Sequence, residues 1–182
     1  GSFIPGNNPA TVFDEGTGIL IPKGHKLSLQ FHYVTNGLAT TDETSIGLYF
    51  YDEPPGRELL TKAVSPRFVI EPFEANHAMD ASYEFDRPVV ITSVRARMNF
   101  RGKKMKFAVE PAGGVMRDVL SIPAYNYGWQ PHYHLSEALE LGAGDRIHVR
   151  GAFDNSYSNP FNPDPSEEVT FGLESYDEMF TG

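Results

Sequence analysis

What most constrains this chain is the spacing of its apolar residues. They alternate with polar ones over short stretches and never sustain the helical period of roughly 3.6 residues over ~10–12 positions. In Lys26-Leu27-Ser28-Leu29-Gln30-Phe31-His32-Tyr33-Val34, the residues Leu27, Leu29, Phe31 and Tyr33 fall on one face of an extended chain, and Ser28, Gln30 and His32 on the other. The same reading predicts strands at 45–51, 67–70, 81–85, 89–100, 104–110, 116–122, 130–135, 146–153 and 169–173. Between them lie Thr35-Asn36-Gly37, Glu53-Pro54-Pro55-Gly56, Pro111-Ala112-Gly113-Gly114 and Gly142-Ala143-Gly144-Asp145, residues that accept positive φ or fix a turn. Short strands punctuated in this way predict an all-β fold, a two-sheet antiparallel sandwich of jelly-roll type.

At 182 residues, with 40% hydrophobic and 21% charged residues, the chain can enclose one sizeable core. No run reaches the ~18 apolar residues of a membrane-spanning helix. Gly1-Ser2 has the look of a fusion scar, which leaves room for segments upstream. Of the 24 acids, Asp154, Asp164, Glu167, Glu168, Glu174, Asp177 and Glu178 lie in the last stretch, where there is no Lys or Arg. This acidic balance argues against a nucleic-acid partner. With no cysteine, disulfides, zinc thiolates and thiol nucleophiles are excluded, so any chemistry falls to His, Met, carboxylates or hydroxyls.

Several segments carry a resemblance by their order: Leu29-Gln30-Phe31-His32-Tyr33 before Thr35-Asn36-Gly37, then Phe100-Arg101-Gly102-Lys103, and Tyr125-Asn126-Tyr127-Gly128-Trp129-Gln130. They are followed by Asp154-Asn155-Ser156 with Asn159-Pro160 and Asn162-Pro163-Asp164-Pro165, and by Asp177-Glu178-Met179. Together they resemble bacterial relatives of the copper type II, ascorbate-dependent monooxygenases, the family of peptidylglycine α-hydroxylating monooxygenase and dopamine β-hydroxylase. The resemblance runs from about Gly18 to Phe180. It implies an N-terminal arm over 1–17 and one monooxygenase-like domain over 18–182, with 18–55 similar to the end of the family's first domain. It also implies a periplasmic or extracellular location.

By the same resemblance, His32 matches the third histidine of the family's first copper site, whose other two ligands would lie upstream. The second site implies a His-X-His strand and a methionine. Met179 matches the methionine, but Arg97 and Asn99 stand where the two histidines are expected. Along that strand Val94, Ala96, Met98 and Phe100 form the apolar face, while Ser93, Arg95, Arg97 and Asn99 point the other way, as ligands would. A guanidinium stays protonated and repels a cation; it is better suited to a carboxylate. No cofactor is therefore expected at this position.

His132 and His134 have the one-apart spacing that projects two imidazoles from one strand face, a bidentate metal geometry as well as an ordinary polar face. His148 reads as solvated between Arg146 and Arg150, and His25 and His77 sit in turns. The 154–164 loop offers oxygen donors but lacks the spacing of a helix-loop-helix calcium site, and side-chain turns explain its composition. Tyr125, Tyr127, Trp129 and Tyr133 are either packing residues or a platform for a sugar or peptide. No catalytic residues emerge. The expectation is a divergent monooxygenase-like domain, serving as a non-catalytic binding or structural module whose partners are other domains, a protein or a carbohydrate. The alternative is a copper-dependent, ascorbate-linked monooxygenase or redox protein with substituted ligands.

Overall fold

The alternation written into the sequence becomes strands wherever a partner strand exists. A computed structural model describes residues 10–31, 33 and 36–182, and its contacts divide the chain into two units, Ala10–Thr61 and Lys62–Gly182. Among the described residues every regular element is a strand.

In the first unit, β1 (Thr17–Gly18) pairs in parallel with β2 (Arg57–Glu58). Gly18 is needed there because a Cβ would meet Pro55 Cγ at 2.9 Å and the Tyr51 ring at 3.3 Å. The Tyr51 hydroxyl donates to the Thr17 carbonyl at 3.0 Å. The strands expected at 26–34 and 45–51 do not form among the described residues, and Leu27, Leu29, Phe31, Ile46, Leu48 and Phe50 are exposed. Alternation supplies an apolar face, but a strand also needs a neighbour for its N–H and C=O groups and a surface against which to bury that face. This unit supplies neither.

The second unit is the all-β sandwich. It contains β3 (Val69–Ile70), β4 (His77–Glu84), β5 (Val89–Val94), β6 (Gly102–Glu110), β7 (Arg117–Ile122), β8 (Tyr133–Leu141), β9 (Arg146–Phe153) and β10 (Val169–Thr170). One antiparallel sheet has the order β4-β9-β6-β7; β5 pairs with β8, and β3 with β10, also antiparallel. Strand β9 is bonded on both sides, and its inward residues Ile147, Val149 and Phe153 join Met105, Phe107 and Val109 of β6 in the core. Val94, Ala96, Met98, Leu141 and Phe180 belong to the same core. Each large apolar side chain buried there contributes about 1.5–3 kcal/mol before entropy is charged. Gly151 is small for a reason: a Cβ would lie 2.6 Å from the Lys104 carbonyl and 2.7 Å from the Phe180 ring.

The outward face of the four-stranded sheet is a lattice of cross-strand charge pairs. Arg150 meets Asp80 at 2.6 Å, Arg146 meets Glu84 at 2.6 Å and Lys106 meets Asp118 at 2.7 Å. His148 belongs to this lattice: it lies 2.9 Å from Glu110 with its side chain 12% exposed, a partnered residue where the sequence suggested a solvated one.

Beyond β5 the chain leaves the β8 ladder and pairs with the C-terminal segment. Arg97 N–H donates to the Thr181 carbonyl at 2.9 Å and Thr181 N–H to the Arg97 carbonyl at 3.0 Å. Val64 and Gly182 exchange the same pair of bonds, at 2.9 and 3.1 Å.

Candidate functional site

The segment 96–101 follows the alternation for three residues and then departs from it. Ala96 and Met98 are buried in the core and Arg97 is half-buried, as the pattern requires. Asn99, on the face away from the apolar one, is also buried, because residues 174–178 lie over it. Its Nδ2 donates to the Glu174 carbonyl at 3.0 Å and to the Asp177 carbonyl at 3.2 Å.

The covering segment answers with Glu178, which is fully buried. One carboxylate oxygen accepts the Arg101 N–H at 2.6 Å; the other accepts the Asn99 N–H at 2.8 Å and the Met179 N–H at 3.3 Å. Burial pushes the Glu178 carboxyl up to about 7, against the opposing pull of these three amides and of Arg101. The Arg101 side chain is 2% exposed and forks into the same region. Its Nε donates to Asn155 Oδ1 at 2.9 Å, and its terminal nitrogens to the Tyr176 carbonyl at 2.6 Å and the Asp164 carbonyl at 3.3 Å. Asn155 passes the connection on, donating to the Glu71 carbonyl at 3.0 Å and the Glu167 carbonyl at 2.9 Å. Across the strand the Tyr125 hydroxyl donates to the Met98 carbonyl at 2.5 Å and accepts the Met98 N–H at 2.9 Å. Burial pushes this phenol well above its ordinary value.

Four of the segments that carried the resemblance therefore converge: 100–103, 125–130, 154–165 and 177–179. What they build is a buried hydrogen-bonded scaffold. Sequence reasoning named the segments but not Arg101, Asn155 and Glu178 as buried side chains. The available signal was a long loop rich in Asn, Asp and Pro, whose backbone groups had to be satisfied from somewhere.

Met179 is buried, and its N–H meets the same Glu178 oxygen that accepts the Asn99 N–H, which brings Met179 near the Arg97–Asn99 segment. These residues do not fit copper. The Asn99 amide nitrogen is turned toward carbonyl oxygens and has no lone pair to give, and the Arg97 guanidinium is a fixed cation.

His132 and His134 do lie on one face at the edge of β8. His134 stands opposite Ser93, and His132 Nε2 is 3.4 Å from the Arg95 guanidinium. Burial first, then Arg95 and His134, hold the His132 imidazole below its ordinary range. His132 meets Arg95, whereas the Asn99 end of the same segment is tied to Glu174, Asp177 and Glu178. His32 lies outside the described residues. Among the described residues no three His, Asp or Glu side chains converge on a point.

The acidic loop is fixed by its own side chains. Asp154 Oδ1 accepts the Ser156 N–H and hydroxyl at 3.1 and 2.6 Å, Asp164 Oδ1 those of Ser166 at 2.8 and 2.7 Å, and Asn159 Oδ1 the Phe161 N–H at 3.0 Å. The four aromatics do not make one platform: Tyr125 is committed to Met98, Tyr133 packs against the core, and Tyr127 and Trp129 remain at the surface. No family model and no curated protein matches the chain.

Proposed function

We propose that this chain is a divergent copper monooxygenase-like sandwich acting as a non-catalytic binding or structural module of a larger exported protein. The observation that carries this reading is the use made of Asn99. At the position where the resemblance implies a copper-binding imidazole, a carboxamide hydrogen-bonds two carbonyls of the segment that holds Met179. Glu178 completes the closure from the other side. Hydrogen bonds thus join strand to segment where a metal would join them in the family, and a joint of this kind supports a scaffold and provides no redox centre.

The test is copper stoichiometry and affinity on the intact chain, with Cu(II) and with Cu(I) under ascorbate, beside the double variant Arg97→His, Asn99→His. The expected result is only weak surface association for the native chain and one tightly held copper for the variant, abolished by a further Met179→Ala change. One tight copper in the native chain, with nitrogen coupling in its paramagnetic resonance, would overturn the reading in favour of an enzyme with substituted ligands. No binding by either chain would mean that the 97–99 strand does not face Met179.

A further inference from the structure

The scaffold around Arg101 fixes a surface groove of about 590 Å3 between the 123–128 turn and the 154–161 loop. Phe100, Tyr125, Tyr127 and Phe161 supply its apolar lining, and Lys103 and Asp154 its charges. Both walls are held by contacts within the protein. The Tyr125 hydroxyl is held by Met98, the Tyr127 hydroxyl is 3.1 Å from Ser175 Oγ, and the rings of Phe100 and Tyr127 pack with centroids 4.5 Å apart. Asn126 Oδ1 accepts the Gly128 N–H at 2.8 Å, and Asn159 Nδ2 donates to the Phe100 carbonyl at 3.2 Å.

This loop presents aromatic surface that the core does not use. Phe161 is 69% exposed although its N–H is pinned. Tyr157, 78% exposed, stacks on Phe73, 50% exposed, with centroids 5.4 Å apart. Phe73 adopts a φ of 62°, a left-handed conformation rare for a bulky side chain, and so holds its ring against Tyr157 at a cost in backbone energy.

Four backbone groups along the groove are already paired within the protein. Arg101 N–H goes to Glu178, Gly102 N–H to the Asn99 carbonyl, the Arg101 carbonyl to Asp154 N–H and the Lys103 carbonyl to Tyr125 N–H. A peptide seeking to add a strand along 101–103 would find these groups taken. Side chains offer the recognition: aromatic rings, one ammonium and one carboxylate, with Lys103 Nζ donating to the Ala75 carbonyl at 2.8 Å and lying 3.7 Å from Asp154 Oδ2, while Asp154 Oδ1 is held by Ser156. That set matches a pyranose, whose C–H faces stack on aromatic rings and whose hydroxyl rim both donates and accepts. We propose that this groove binds a short oligosaccharide, with Tyr127, Phe100 and Phe161 against sugar faces and Lys103 and Asp154 on the hydroxyl rim. The proposal rests on the reading of the domain as a binding module.

The test is a titration of the isotope-labelled intact chain with cellohexaose, xylohexaose, mannohexaose and chitohexaose, followed by amide chemical shifts. At least one sugar should move signals confined to 100–103, 123–128 and 154–161. Phe161→Ala should leave the spectrum of the free protein in place and weaken that binding about tenfold, the loss of one stacked ring. No response to any of the four sugars, shifts mapping elsewhere, or full affinity in Phe161→Ala would overturn the proposal. Tight copper binding by the native chain would defeat the preceding reading without altering these shifts, so the two failures are distinct.

Discussion

The carboxylate of Glu178 accepts the backbone N–H of Asn99 at 2.8 Å, joining positions 79 residues apart in the chain. Arg101 N–H, two residues further on, goes to the same carboxylate at 2.6 Å. One side chain thereby stands in for the carbonyls that a neighbouring strand would offer. The ladder that begins at Arg97 and Thr181 is continued by a carboxylate in place of a backbone. Asn99 returns the contact through its own amide, so neither partner leaves a buried donor unanswered.

Replacing Asn99 by Ala removes both donations and leaves the Glu174 and Asp177 carbonyls without that partner. A loss of about 1–3 kcal/mol is expected. Urea denaturation of the intact chain measures it, and a midpoint unchanged from the native protein would show that the segment is held by other contacts.

The raised Glu178 carboxyl has a pH signature. Because burial lifts it from 4.5 to about 7, the folded state binds its proton more tightly than the unfolded chain. Its contribution is fully present in acid below the unfolded value and is lost as pH rises toward 7. The swing is on the order of 3 kcal/mol. Glu178→Gln cannot titrate, so between pH 5 and 7.5 the native chain should lose more stability than the variant. Equal losses in paired urea titrations would refute the assignment; other carboxylates cancel because both chains carry them.

Arg101→Lys retains the charge and loses the fork. A lysine cannot reach Asn155 Oδ1, the Tyr176 carbonyl and the Asp164 carbonyl together, and about 2–4 kcal/mol is expected to go with them. The 154–178 region should then be cut by chymotrypsin at Phe161, Phe171 or Tyr176 well before the sheet is. Digestion at the native rate would place the loop's support elsewhere.

Alternation alone located β9, whose bounds 146–153 match the expected strand, and came within a few residues of β4, β6 and β7. It failed where a strand's partner was the deciding factor. The 26–34 and 45–51 segments have the pattern and, among the described residues, no ladder. It was silent on the burial of Asn99, because period two reports which way a side chain points and not what later covers it. Arg101 is the sharpest case: a charged residue beside a glycine reads as surface, yet its acceptors come from positions 155, 164 and 176. The groove was not legible, since Phe100, Tyr127 and Phe161 meet across three separate segments.

The exchange of bonds between Val64 and Gly182 gives the 62–182 unit a topological property. Residues near its two ends are direct hydrogen-bonded neighbours, so its path is a nearly closed ring cut at one point. Where the cut falls is then a matter of convenience: a short bridge across these ends, and an opening at an exposed turn such as 112–114, would preserve every contact of the core. The last residues of that ring are seated on the sheet itself, since Gly182 lies against Val149 and Phe107 and the Phe180 ring meets Phe153 at 6.0 Å.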